Sequence, residues 1–316
     1  MPAKQFELFS LENLKELDLP QGPELSPSSP LEDTCAPFQK YMEQKEFTEN
    51  TIRCFLSDMR LFVEFAGPTT PLSECSTKKL RDFLHYLQEE RDTPCAPKTL
   101  DRRITTLKVF FEWLVRYDIL PHDPAEPLEH RQAHSPLPHI LSESQIETLL
   151  SITRAMRDAD EAPDARPHLL VTLILSTGMK KGECMDIALE HIDPGAPDTP
   201  PSVYIHYDEP RLLFKRRRLA LPEDWIDTLE IYLRRYQPQE KLFECTARNL
   251  EYVLHKISDL ANLRSNITFE MLRWTCAVRN YQEGMDEERL RKRLGLSEIA
   301  WPDTLSTIQK LGQGPL

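Results

Sequence analysis

The chain has 316 residues, 28% of them charged and 40% hydrophobic, with 9 Gly against 26 Pro. That length supports two separately cored domains, the glycine–proline balance favours helices joined by proline-punctuated loops, and no apolar run is long enough to cross a bilayer. A net charge of −12 excludes nucleic-acid binding through overall charge and leaves that role to local basic patches.

The first stretch, "MPAKQFELFSLENLKELDLPQ", is dotted with acid and has no apolar h-region, so it does not read as a secretory signal. Residues 1–34 carry two basic and seven acidic groups. With the Pro/Ser-rich "PQGPELSPSSPLEDT" they are predicted to form a disordered acidic tail. One segment in it, "FELFSLENLKEL", has an apolar face suited to docking on a partner or on the chain's own domain.

Residues 35–129 are predicted as a four-helix domain: "APFQKYMEQKE", "TENTIRCFLSDMRLFVEFAG", "STKKLRDFLHYLQEER" and "APKTLDRRITTLKVFFEWLVRYDI". In the second, Ile52, Phe55, Met59 and Phe62 recur at helical spacing, with Thr48 as N-cap and Gly67 as stop. Ser76 opens the third. Residues 130–140 are dense in Pro and His and read as a linker.

Residues 141–316 form the second predicted domain. "SESQIETLLSITRAM" begins with a capping-box pattern. An apolar helix, a Thr-Gly break and a further helix follow in "RPHLLVTLILSTGMKKGECMDIALEHID". "PSVYIHYD", "RLLFKR" and "RRLALP" are predicted as short strands. Three more helices are expected, the first starting at Pro222, before a last short one, "TLSTIQKL". The fold class is therefore mainly α with one small β-sheet. The seven cysteines, an odd number without C-x-x-C or zinc-site spacing, read as thiols in a reducing cytoplasm. No metal and no cofactor are expected.

Four stretches resemble the tyrosine recombinase (phage integrase) family. "KTLDRRITTLKVFFEWL" is similar to a family helix laid along DNA, with Arg102, Arg103 and Lys108 on its polar side for phosphate neutralisation. "LSTGMKKGECMDIALEHID" resembles the family's T-G-(L/M)-R-x-x-E box at Thr177, Gly178, Met179 and Glu183, with Lys180 where the family has a catalytic Arg. "YIHYDEPRLLFKRRRLALP" is similar to the family's hairpin. Lys215 and Arg217 fall on its second Lys and its Arg, Leu212 falls on its catalytic Lys, and "KRRR", which includes Arg216, is the strongest basic cluster. "TFEMLRWTCA" keeps Thr268, Leu272, Arg273, Thr275 and Ala277 of T-P-H-x-L-R-H-(T/S)-x-A, but puts Glu270 and Trp274 on its two His. "LGL" then replaces L-G-H, with Leu296 on the His, and nine residues further Leu305 stands where the family has its nucleophilic Tyr.

The resemblance implies an N-terminal four-helix (SAM-like) core-binding domain and a recombinase catalytic-type domain that clamp duplex DNA. It also implies phosphoryl transfer to a tyrosine, with Arg groups neutralising the phosphorane and Lys and His groups moving protons. Arg273 and Lys180 are then remnants of that site. Lysine keeps charge but lacks the bidentate fork of arginine, and Glu270 sets a carboxylate beside the phosphate. Tyr281, eight residues past Arg273, is expected to pack rather than react. The expected function is a catalytically inactive DNA-binding protein acting in or regulating DNA recombination or integration. Two alternatives stay open: an active recombinase with unusual residues, or one complemented by an active paralogue; and a protein-interaction module without DNA binding. The segment "TLSTIQKLGQGPL" either exchanges between like or paralogous subunits or packs on its own domain.

Overall fold

The computed structural model describes residues 22–130 and 136–313. The expected docking segment near the N-terminus and residues 131–135 of the expected linker lie outside the described residues. The chain divides into two compact units, 1–136 and 137–316.

The first unit holds α1 (Cys35–Gln44), α2 (Glu49–Ala66), α3 (Thr77–His85) and α4 (Pro97–Arg116). Thr48 and Ser76 cap α2 and α3 by accepting from the backbone N–H of Thr51 and Lys79, and Gly67 ends α2 at a φ of 95°. A π-helical stretch, Tyr86–Glu90, extends α3. The core is aromatic: Phe38, Phe62, Phe83, Phe110, Phe111 and Trp113 are fully buried. Phe110 stands edge-on to both Phe38 and Phe111, with centroids 5.2 and 5.0 Å away. Ordered packing begins before Cys35, in what was expected to be tail. Leu31 is fully buried and its N–H donates to the Thr70 carbonyl.

The second unit is built around α6 (Arg166–Thr177), nine of whose twelve residues are buried. Such a helix, apolar on all sides, must lie at the centre of its unit. Around it pack α5 (Glu143–Arg157), α8 (Trp225–Tyr236), α9 (Ala247–Leu260) and α10 (Phe269–Gln282). The Ser142–Gln145 capping box of α5 is present. The short α7 (Lys181–Met185) leads to an antiparallel sheet of β1 (Ile192–Asp193), β2 (Ser202–Ile205) and β3 (Arg217–Ala220) in the order β1-β2-β3. Val203 faces Leu219 and Ile205 faces Arg217 across the β2–β3 ladder. α11 (Glu287–Arg293) and α12 (Trp301–Gly312) complete the unit. Among the described residues no helix is long and apolar enough to cross a membrane.

Two local expectations are corrected. "RLLFKR" is not a strand: Pro210–Lys215 is a 3-10 turn, closed by Leu212 N–H on Glu209 O at 2.8 Å and Arg216 N–H on Leu213 O at 3.0 Å. The helix expected to start at Pro222 starts at Trp225, because Pro222 first closes a turn, its carbonyl accepting from Trp225 N–H.

Candidate functional site

The centre of the site is Glu183, on α7. Its side chain is only 3% exposed, and every donor around it is aimed inward. Arg217, from β3, meets it with both terminal nitrogens, Nη1 to Oε1 at 3.0 Å and Nη2 to Oε2 at 2.8 Å. Tyr207 donates its phenol to Oε1 at 2.6 Å, and the Lys180 N–H reaches Oε2 at 2.8 Å. Burial by itself would raise the carboxyl, but the guanidinium of Arg217 and the other donors hold it down at about 2. Burial and the adjoining carboxylate push the Tyr207 phenol up.

Arg273 sits in the second turn of α10, which Thr268 caps by accepting from Met271 N–H at 3.0 Å. Its guanidinium donates to the carbonyls of Gly178 and, at 2.7 Å, Leu294. It thereby ties the ends of α6 and α11 to α10. Gly178 ends α6 at a φ of +64°, and a Cβ there would lie 3.0 Å from Leu294 and 3.1 Å from Cys276, so the close approach needs glycine. Lys180 stands beside this cluster. Burial, then the positive charges of Arg273, Lys215 and Arg217, bring its amine down to about 8 despite Glu183. Burial also lowers Arg273.

Above this floor opens a cavity of about 580 Å³, lined among others by Lys180, His255, Arg273, Trp274, Leu296 and Thr304. Glu270 lies at its exposed edge and accepts from Trp274 Nε1 at 3.3 Å. The structure therefore gathers Lys180, Glu270, Arg273, Trp274 and Leu296 around one space. Leu212 and Leu305 are not in its lining. They are half-buried in the 210–215 turn and on α12. Tyr281 packs with Ala277, Val278 and Ile308.

The basic residues expected to meet phosphate fall into two kinds. Arg103, expected on the polar side of its helix, is 8% exposed. It donates to Asp58 at 3.3 Å and to the Cys95 sulfur at 3.1 Å, so it is a structural group. Arg102 bonds the same Asp58 but keeps a third of its side chain in solvent. Lys108 donates to the Glu126 carbonyl at 3.0 Å. Arg217, with a side chain 8% exposed, faces inward on Glu183, contrary to its place in an expected surface patch. Lys215 is half-buried and Arg216 is exposed.

Other residues of the site gave no motif. Tyr207 meets Glu183 only through the sheet. His255 and Glu251, one turn apart on α9, face the cavity; their i,i+4 spacing put them on one face, but nothing said what that face looked onto. Among the described residues no cluster of His, Cys, Asp or Glu could hold a metal ion.

Residues 35–119 match the family model described as the phage integrase N-terminal SAM-like domain. The chain is 23% identical over 278 residues to tyrosine recombinase XerC of Lacticaseibacillus casei, covering 84% of this chain and 90% of the relative. It is 22% identical to tyrosine recombinase XerD of Listeria monocytogenes, covering 85% and 91%. In structure it is similar to the site-specific recombinase XerH bound to difH substrate (TM-score 0.68, 18% identity, 90% of this chain and 81% of the other). It is also similar to a lambda integrase dimer bound to a core site (TM-score 0.68, 13% identity, 91% and 79%).

Proposed function

We propose that this chain, which belongs to the tyrosine recombinase family, is a cytoplasmic DNA-binding member that no longer joins itself to DNA and that acts in or regulates recombination. The observation that carries this reading is Leu305. It lies nine residues past Leu296, where the resemblance puts the nucleophile, and a hydrocarbon side chain cannot attack phosphorus. The surroundings agree. Arg273 directs its guanidinium at two backbone carbonyls. Leu296 offers no proton where the family has an imidazole, and Glu270 turns a carboxylate toward the cavity mouth. Thr304 lines the cavity, but its hydroxyl donates to Ala300 O at 3.0 Å. What the site retains is positive charge from Lys180 and Arg273, Lys181 being paired with Glu251 at 2.9 Å, and that charge suits holding a phosphate without cleaving it.

Duplex DNA is the proposed partner, contacted by Lys108, Lys215 and Arg216, with Arg102 contributing its exposed edge. The relatives carry the name of recombinases, and several structural neighbours were solved on DNA as dimers or tetramers. Those assemblies favour a second reading, in which an active paralogue supplies the nucleophile in a mixed complex. Incubation with a nicked suicide duplex tests the proposal. The chain alone is expected to give no covalent protein–DNA adduct, and any adduct resistant to denaturation overturns inactivity. An adduct that forms on the partner subunit only when both chains are present supports the mixed complex.

A further inference from the structure

The turn that joins β2 to β3 carries an apolar tip inside a basic setting. We infer that Phe214, backed by Leu213, is a wedge that inserts between stacked base pairs of duplex DNA and unstacks them. This rests on the DNA-binding reading above.

Phe214 is 58% exposed and Leu213 43%, the only adjacent pair of exposed large hydrophobic residues among those described. A single exposed phenyl ring needs no explanation; its setting does. The tip is rigid. Pro210 opens the 3-10 turn, and its backbone is closed by the hydrogen bonds from Leu212 to Glu209 and from Arg216 to Leu213. The Arg216 Nε then crosses to the Tyr207 carbonyl at 2.7 Å and ties the two arms of the hairpin together. With the backbone of the turn already closed, contact has mainly side chains left to order.

The flanks favour one partner. Lys215 Nζ lies 5.4 Å from the Phe214 centroid, and Arg211 and Arg216, in and next to the same turn, are exposed. The acids of this loop are engaged in exposed pairs, Glu209 with Arg211 at 2.7 Å and Asp208 with His206 at 2.8 Å. Pairs of this kind are weak, and phosphates compete for the same donors. A protein groove would also accept an aromatic tip with a polar rim, and that contact is an outcome the test separates. Cations around an aromatic tip match a polymer with charge outside and flat apolar faces within, as in minor-groove proteins that kink DNA with apolar side chains.

The test uses the full chain and a short duplex with 2-aminopurine beside a central TpA step, the most easily unstacked kind, at low salt. The expected result is a rise in 2-aminopurine fluorescence on binding. Phe214→Ala is expected to abolish the rise and weaken binding about tenfold or more, the scale of lost base–aromatic stacking. Phe214→Trp is expected to restore both. Binding without a rise, or an equal rise with Phe214→Ala, overturns the wedge and leaves DNA binding standing. Self-association without DNA that Phe214→Ala abolishes overturns it in favour of a protein contact. Absence of binding at any salt overturns the DNA reading itself, and the wedge with it.

Discussion

Glu183 shows what a single residue position requires here. It accepts four hydrogen bonds, from Lys180, Tyr207 and twice from Arg217. Gly295 makes this possible: at a φ of +60° it lies under the Arg217 guanidinium, and a Cβ there would come within 2.6 Å of Arg217 Nη1. Removing one partner leaves the other charge buried and unpaired, so Arg217→Ala is expected to cost about 3–5 kcal/mol in denaturant unfolding. Because the folded Glu183 carboxyl lies near 2 against an ordinary 4.5, its contribution is present above pH 4.5 and lost as pH falls toward 2. An acid-unfolding curve of Glu183→Gln is expected to lack that part of the pH dependence. Lys180 has the same sign in a more alkaline window, although here burial of a cation is what costs stability at neutral pH. Its folded value of about 8 lies below the ordinary 10.5, so in that window the unfolded chain holds a proton the folded chain has released, and stability rises with pH. A phosphate in the cavity reverses this and draws a proton onto the lysine. Calorimetry of DNA binding near pH 9, in two buffers with different ionisation heats, is expected to show proton uptake that Lys180→Met removes.

At the scale of the element, α12 bears on how copies of this chain associate. Its apolar side buries Ile308 against Ala277 and Val278 of α10 and Leu290 of α11, and Gln282 Nε2 donates to the Gly312 carbonyl at 3.2 Å. In the single chain it packs on its own unit. Ile308→Ala is expected to destabilise the unit by about 2–4 kcal/mol, with an unfolding midpoint independent of protein concentration. A midpoint that rises with concentration would instead place α12 on another copy. In α4 the polar face is less free than its helical wheel implies. Asp58 on α2 draws in Arg102, Arg103 and Thr106, and burial still pushes its carboxyl up. A buried acid on one helix thus reassigns basic residues on another.

At the scale of the whole molecule, the proposed DNA binding by a chain of net charge −12 requires local basic patches, and its affinity is expected to be strongly salt-dependent. The slope of log K against log salt is expected to be negative and to become shallower by about 2 in a Lys215→Ala, Arg216→Ala double variant, at roughly 0.9 per phosphate contact. A slope unchanged by that variant would place the DNA elsewhere. The helices and most of their caps were legible in the sequence, because helical periodicity and capping chemistry are local properties. The turn at 210–215 was misread because a short basic–apolar run suits a strand or a 3-10 turn equally until its ends are fixed. Which cations face solvent was not legible at all. Arg103 and Arg217 look like Lys108 and Arg216 along the chain, and only burial beside Asp58 and Glu183 separates them. The sequence alone determined the family pattern, since residue identity and motif spacing need no fold. The tertiary structure decided which charges are structural and which remain for a ligand, because pairing and desolvation depend on neighbours distant in sequence.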